Sequence, residues 1–255
     1  MPPLPSPNDL ARENLRSVLR DAERKQGFVT PMFEHIAARY DAFTRLFSFG
    51  MDARWKRTLT GWLAEQSPAP LNVLDVACGT GDLTVMAAGC CPGATVLGLD
   101  AAANMIAHAT ARLAAHPTTG VAFTVADLTH TGVPSASVDA VCAGYAFRNI
   151  PRLDDGLSEM SRVLRPGGRL YVLDFYRPGA PWWRALFLGY LRASGSLVGW
   201  WWHRAPVMYA YIADSIDAFV GVPAFEAALE RHGFAVDRRR VVLGGGVAMH
   251  AAIRR

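Results

Sequence analysis

Three aspartates and a glycine pair are the residues of this chain whose spacing could do chemistry. Asp75 lies in Val73-Leu74-Asp75-Val76, Asp100 closes Thr95-Val96-Leu97-Gly98-Leu99-Asp100, and Asp127 follows Phe123-Thr124-Val125-Ala126. After the first comes the turn Ala77-Cys78-Gly79-Thr80-Gly81-Asp82, then a helix-like segment over 83–88. An apolar run, a Gly-x-Gly turn and a helix make up the nucleotide-binding βα unit. The glycines let the backbone turn sharply and let a ligand lie against it. The usual dinucleotide signature is absent, because Thr84 stands at the third glycine position and Asp75 where an apolar residue is usual. No lysine follows as in a phosphate-binding loop. An acidic residue beside the turn suits a cationic ligand better than a pyrophosphate. Asp100 lies about 20 residues past the turn, the spacing of a carboxylate that binds a ribose diol. Any one aspartate alone could simply cap the next helix. Three of them, at the ends of successive strands, converge on the edge of a parallel sheet where such folds bind ligands.

The elements that must position these residues alternate. Strands are predicted over 73–77, 95–99, 121–125, 138–143 and 170–175, with helices over 101–115 and 153–164 between them. This order predicts an α/β fold with a doubly wound, mostly parallel sheet. Pro166-Gly167-Gly168 reads as a turn, and strands over 236–243 and 247–253 are joined through Gly244-Gly245-Gly246. A helix over 223–232 precedes them. Upstream, a charged amphipathic helix is predicted over 10–25, a second opened by Pro31 and running to about 44, and a third capped by Asp52. The breaker cluster Gln66-Ser67-Pro68-Ala69-Pro70 divides a helical cap, 1–66, from the core, 67–255. An aromatic insertion at 178–211 interrupts the core.

The formal charge is +4, arginine supplies most of the cations, and no block of like charge reads as a nucleic-acid arm. No nucleic-acid partner is expected. Cys78, Cys90, Cys91 and Cys142 form no C-x-x-C and no zinc spacing, so they read as small buried hydrophobes and no metal is expected. The Pro-rich start has no apolar signal region, and no run reaches transmembrane length. The expectation is a cytoplasmic protein, with peripheral contact at the inner face of a membrane as a further option.

A ligand with an ammonium and a sulfonium and no phosphate is S-adenosylmethionine, and the glycine turn resembles the first motif of the methyltransferases that use it. From residue 31 to the C-terminus the chain resembles one family among them, the C-methyltransferases of ubiquinone and menaquinone biosynthesis. The resemblance rests on Phe33-Glu34-His35-Ile36-Ala37-Ala38-Arg39-Tyr40-Asp41, Ser48-Phe49-Gly50, Arg54-Trp55-Lys56-Arg57, Phe147-Arg148-Asn149-Ile150, Arg162-Val163-Leu164-Arg165-Pro166-Gly167-Gly168 and Tyr211-Ile212-Ala213-Asp214-Ser215-Ile216. It implies a Rossmann-like, seven-stranded sheet with an antiparallel last hairpin beneath an N-terminal helical cap. It also implies S-adenosyl-L-methionine held by Asp75, Ala77, Gly79, Thr80, Gly81, Asp100, Ala101, Met105, Asp127, Leu128 and Gly144. The implied acceptor is a polyprenylated demethylquinol. The chain departs from the family at Ala42-Phe43-Thr44, Asp52, Gly144, Asp174 and the Trp-rich stretch before Tyr211. Most of these lie where an acceptor would bind, so another aromatic or natural-product acceptor stays open, as does a non-catalytic cofactor-binding scaffold.

Methyl transfer from a sulfonium needs alignment more than activation of the leaving group. A ring carbon becomes nucleophilic when a hydroxyl ortho or para to it loses its proton, so the site needs a proton acceptor or a phenolate stabiliser. Arg148 is assigned to the phenolate, because a guanidinium is not ordinarily a base. Asn149 is assigned to orienting the ring oxygen or a water, and Tyr40 to a proton relay. The alternatives are an ion pair of Arg148 with Asp154 or Asp155, and core packing for Tyr40. His35 and His203 could titrate near neutrality, and His250 is weighed with them. Trp182, Trp183, Trp200, Trp201 and Trp202 cannot all face one core. They read either as a seat for a prenyl tail or a membrane contact, or as a hydrophobic dimer surface or a second core.

Overall fold

The computed structural model describes residues 15–19, 21–37, 44, 48, 50–203 and 206–255, except for the side chains of 16, 196–203 and 206–210. The central sheet has seven strands: β1 (Asn72–Val76), β2 (Thr95–Asp100), β3 (Val121–Val125), β4 (Val138–Gly144), β5 (Leu164–Phe175), β6 (Phe234–Val242) and β7 (Val247–Arg254). Their order is β3-β2-β1-β4-β5-β7-β6. The first five are parallel, and β7 runs antiparallel to both β5 and β6. Strand order reverses between β1 and β4, and α/β sheets bind ligands at the carboxyl ends of strands at such a point.

Period-2 alternation sorts the sheet residues into two cores. On one face, Leu74, Val76, Val141, Ala143, Leu170 and Val172 meet α6 (Leu153–Val163) and α9 (Val222–Arg231). On the other, Val73, Val96, Ala140, Cys142, Tyr171 and Leu173 meet α3 (Met51–Ala64) and α4 (Asp82–Cys90). Thus α3 contributes Trp55, Leu59 and Leu63 directly to the core of the sheet. α5 (Ala103–Ala115) follows β2, and a helical pair, α7 (Pro181–His203) and α8 (Pro206–Ala218), occupies the aromatic insertion.

The N-terminal helices differ from the sequence prediction. Of the helix expected over 10–25, residues 10–14 and 20 lie outside the described residues, and the rest forms α1 (Leu15–Val18) and the start of α2 (Ala22–Ile36). The break is at Asp21, whose carboxylate caps α2 by accepting from the backbone N–H groups of Glu23 at 3.0 Å and Arg24 at 3.2 Å. Pro31 does not open a helix but lies inside α2. A proline there costs about 3 kcal/mol. The buried neighbours Phe28, Val29, Met32 and Ile36 contribute about 1.5–3 kcal/mol each and outweigh it. Gly50, with φ of 73°, takes the N-cap of α3, and Asp52 moves into its first turn. β5 begins earlier than predicted, so Pro166-Gly167-Gly168 falls within the strand, where its register with β4 shifts.

Candidate functional site

The cleft lies where β1 and β4 diverge, and two of its corners are strained. Ala77 after β1 has φ of 52° and Tyr145 after β4 has φ of 59°. Such non-glycine conformations cost about 1–3 kcal/mol each and persist only where neighbours hold them. The cleft has two lobes that share Ala77, Gly79, Gly144 and Tyr145. Asp100, Ala101, Met105, Asp127 and Leu128 line the larger lobe, with Gln26, Val29, Thr30 and Phe33 of α2 over it. Asp75, Thr80, Asp82 and Lys56 line the smaller.

The three aspartates are not equivalent. Asp100 Oδ2 accepts from the Gly79 N–H at 2.9 Å and Oδ1 from the Ala102 N–H at 2.8 Å. Burial raises its pKa despite these bonds. Each oxygen keeps a lone pair for a ligand hydroxyl. Asp127 accepts from the Thr129 N–H at 2.7 Å and the Thr129 hydroxyl at 2.8 Å, and its other oxygen accepts from Gln26 Nε2 at 3.1 Å. A side chain of α2 thus reaches over the cleft to the end of β3. Asp75 is buried, and its Oδ2 accepts from the Thr84 hydroxyl at 2.6 Å. Its Oδ1 has no hydrogen-bond partner among the described residues. Burial pushes its pKa up to about 7, against the Thr84 bond and the charge of Lys56. An orphaned carboxylate oxygen is costly unless a cation or donor meets it. Asp75 therefore fits the ammonium of an amino-acid group.

Lys56 lines the smaller lobe and was not among the candidates read from the sequence. Its Nζ lies 2.9 Å from Asp52 and 3.0 Å from Asp82. Burial pulls its pKa down, but the two carboxylates outweigh this and hold it above the ordinary value. A cation beside Asp75 in the same small lobe suits the carboxylate of a zwitterion. The Arg54-Trp55-Lys56-Arg57 segment was the one available signal. Gly81, expected among the cofactor contacts, lines neither lobe. Its φ is 82°, and a Cβ there would stand 2.5 Å from Phe123 Cζ, so glycine is required by the turn and by β3.

Arg148 and Asn149 follow β4 as expected, but only Asn149 lines the cleft. Asn149 Nδ2 donates to the Tyr145 carbonyl at 2.9 Å, and its Oδ1 accepts from the Tyr211 hydroxyl at 3.0 Å. Tyr211 opens the Tyr-Ile-Ala-Asp-Ser-Ile segment, so Asn149 ties α8 to the end of β4. Arg148 is buried 3.6 Å from Asp174, and the partners considered from sequence are not the ones it takes. Asp154 instead meets Arg231 at 3.5 Å. The guanidinium lies 5.4 Å from the centre of the Phe175 ring and 6.0 Å from that of Tyr145. Its Nε has no hydrogen-bond partner among the described residues. Burial pushes Asp174 up to about 6, against the Arg148 charge. Lys25 of α2 is brought down to about 8 by burial, then by the Arg148 charge.

Tyr40 and the side chains of His203, Trp200, Trp201 and Trp202 lie outside the described residues. His35 lies in the last turn of α2. His250 is buried between Tyr176 at 3.3 Å and Glu226 at 3.2 Å, and burial lowers it to about 4, which leaves it neutral and structural. A second cavity, of about 340 Å³, lies beside Phe175. It is lined by Met51, Trp55, Phe175, Trp183, Phe187 and Leu191, among others, and Phe175 stacks on Tyr145 with ring centres 5.2 Å apart.

Known proteins share this architecture and sequence. A solved geranyl diphosphate C-methyltransferase from Streptomyces coelicolor A3(2), in complex with Mg2+, geranyl diphosphate and S-adenosyl-L-homocysteine, superposes with a TM-score of 0.60. The match covers 80% of this chain and 79% of that one at 16% identity, which shows a shared fold. Demethylmenaquinone methyltransferase from Thermus thermophilus is 36% identical over 88% of this chain and 100% of its own. A ubiquinone/menaquinone biosynthesis C-methyltransferase from Syntrophotalea carbinolica is 34% identical over 88% and 93%. The sequence model of the ubiE/COQ5 methyltransferase family matches residues 19–254. With its sheet order, strand-end carboxylates and nearly full-length match, the chain belongs to the ubiE/COQ5 methyltransferase family, whose methyl donor is S-adenosylmethionine.

Proposed function

We propose that this protein methylates a ring carbon of a polyprenylated demethylquinol on the way to menaquinone or ubiquinone. The observation that carries the reading is the 340 Å³ cavity beside the cleft, with the Tyr145–Phe175 stack between the two and a lining almost wholly of apolar side chains. Its volume falls in the ~300–1,000 Å³ range of small-molecule sites. Each prenyl methylene buried there contributes about 0.8 kcal/mol. The names of the similar proteins from Thermus thermophilus and Syntrophotalea carbinolica point to the same acceptor class.

In this reading Asp100 holds the ribose hydroxyls of the donor. Asp127 and Leu128 flank its base, with Ala101 and Met105 against it. Asp75, Thr80 and Lys56 take the amino-acid end, and Ala77, Gly79 and Gly144 form the floor between. The bound donor supplies a methyl group on a positively charged sulfur. The charge of Arg148, buried 6.0 Å from the centre of the Tyr145 ring, stabilises the acceptor's phenolate from behind the cleft wall, and Asn149 orients its oxygen. Helices α1 and α2 act as the cap over a core that runs from α3 onward.

α7 presents Trp182, Leu186 and Tyr190 to solvent on one face, with 72%, 60% and 41% of their surfaces exposed. No helix among the described residues is long and apolar enough to cross a membrane. A stripe of this kind suits peripheral contact with the lipid surface where such quinols reside. A homodimer would bury the same stripe, and sedimentation separates the two. The test of the acceptor is incubation with S-adenosylmethionine and a reduced demethylmenaquinone, with the product identified by mass spectrometry. Transfer to the reduced ring and none to the electron-poor oxidised ring is expected. A ring left unmethylated in both states would refute the reading.

A further inference from the structure

A buried phenol at the junction of the two lobes has no part in the assignments above. Tyr145 is 7% exposed, and its ring, carbonyl and hydroxyl are each fastened. The ring stacks on Phe175 at an interplanar angle of 27°. The carbonyl accepts from Arg148 Nη1 at 3.2 Å and Asn149 Nδ2 at 2.9 Å. The hydroxyl donates to Asp52 Oδ1 at 2.7 Å, and Asp52 Oδ2 is held by Lys56 at 2.9 Å. Packing alone does not call for this arrangement. A phenylalanine would make the same stack, and replacing a buried polar pair by apolar groups of equal shape is often near neutral. A strained backbone that aims a hydroxyl at a buried carboxylate points to use of that hydroxyl.

Its position says what the use is. The two lobes hold, respectively, the carboxylates suited to a nucleoside and those suited to an amino acid, and Tyr145 lines both. It also stacks on Phe175, which lines the apolar cavity. Tyr145 therefore stands where an acceptor ring entering from that cavity would meet the reacting centre. A phenol oxygen that donates its own hydrogen can also accept one.

We propose that Tyr145 and Asp52 form the proton-accepting pair for the acceptor's hydroxyl, with Tyr145 touching the acceptor oxygen and Asp52 receiving the proton. This rests on the quinol reading. The acceptor O–H proton passes to Tyr145 Oη as the Tyr145 proton passes to Asp52 Oδ1, so one proton moves and Tyr145 is unchanged. The O–H electron pair stays on the acceptor and feeds the ring carbon, which forms its bond to the methyl as the methyl–sulfur bond breaks and leaves its electrons on sulfur. The ring carbon's own proton then leaves to solvent, aromaticity returns, and Asp52 gives its proton back to the ring oxygen through Tyr145. The net release is one proton per methyl. The charged groups around the pair are Lys56 on its own helix, Asp82 of α4, Asp75 of β1, Arg148 after β4, Asp174 of β5 and Lys25 of α2.

The test is anaerobic single-turnover transfer to a short-tailed reduced demethylnaphthoquinone from pH 6 to 10, beside calorimetric titration with S-adenosylhomocysteine. Tyr145→Phe keeps the stack, and Asp52→Asn keeps the shape. Near pH 7 both should lose ~100-fold or more in rate. The gap should close roughly tenfold per pH unit as solvent ionises the acceptor for them. Tyr145→Phe should keep its affinity for S-adenosylhomocysteine, whereas Asp52→Asn also loosens Lys56 at the donor's amino-acid end, and thermal melting of Tyr145→Phe checks the fold. Variants that track the wild type at every pH would overturn the pair. So would a loss of S-adenosylhomocysteine affinity in Tyr145→Phe matching its loss of rate, because the phenol would then serve the donor. An inert wild type would overturn the quinol reading, and this proposal with it.

Discussion

Asp75→Asn should weaken donor binding and stabilise the free protein in one step. In an unfolded chain this carboxyl ionises near 3.8, whereas in the fold burial holds the proton to about 7. The native state therefore binds the extra proton between those values. Stability is complete below the unfolded value and falls as pH rises towards 7. The cost above pH 7 is on the order of 4 kcal/mol at about 1.36 kcal/mol per pH unit. A cationic ammonium beside the orphaned Oδ1 favours the ionised form. Affinity for S-adenosylhomocysteine should hence be flat above pH 7 and fall roughly tenfold per unit below it, with a proton released on binding. Asparagine can still accept from Thr84, but it carries no charge. At pH 8 the variant should lose about 1.5–3 kcal/mol of affinity, or ~10- to 150-fold, and should lose the pH dependence between 6 and 8. Burying its amide N–H returns ~1–3 kcal/mol of the stability gain. The free variant should nonetheless melt roughly 2–10 °C higher at pH 8. Calorimetry in two buffers of different ionisation enthalpy reads the proton, and a thermal scan reads the stability. A wild-type affinity that does not change from pH 6 to 8, or a variant that keeps the change, would refute the reasoning.

Other substitutions probe the rest of the site. Asp100→Ala removes the charged acceptor of the ribose hydroxyls and should cost about 1.5–3 kcal/mol of donor affinity by calorimetry, and an unchanged value would take Asp100 out of the site. Arg148→Ala should slow single-turnover transfer ~100-fold or more with little change in donor affinity, since its charge acts as the phenolate develops. Equal turnover would leave Arg148 as the buried partner of Asp174. Phe187→Ser and Leu191→Ser open the apolar cavity to water and should raise the Michaelis constant for long-tailed quinols while sparing short ones. Equal effects on both would place the tail elsewhere.

Much of the fold was legible because its signals are local. The βα repeat shows as apolar runs of strand length, the cofactor turn as Gly79 and Gly81, and the closing hairpin as three glycines, each set by backbone preference or by period-2 burial over a few residues. Asp75, Asp100 and Asp127 could be placed on one edge because parallel strands of similar length must end together. The same local rules failed at Pro31, where the apolar face of α2 overrode the helix-breaking tendency of proline. What only the tertiary structure decided are contacts between positions far apart in sequence. Tyr145 meets Asp52 across 93 positions, and Gln26 meets Asp127 across 101. Arg148 turns to Asp174, 26 positions on, rather than to the aspartates of the next helix. Each of these follows from the insertion of β4 between β1 and β5 and from helices folding back over the strand ends. Side-chain chemistry determined what each residue could bind, while the order of strands, which local preference does not encode, chose the partner it would meet.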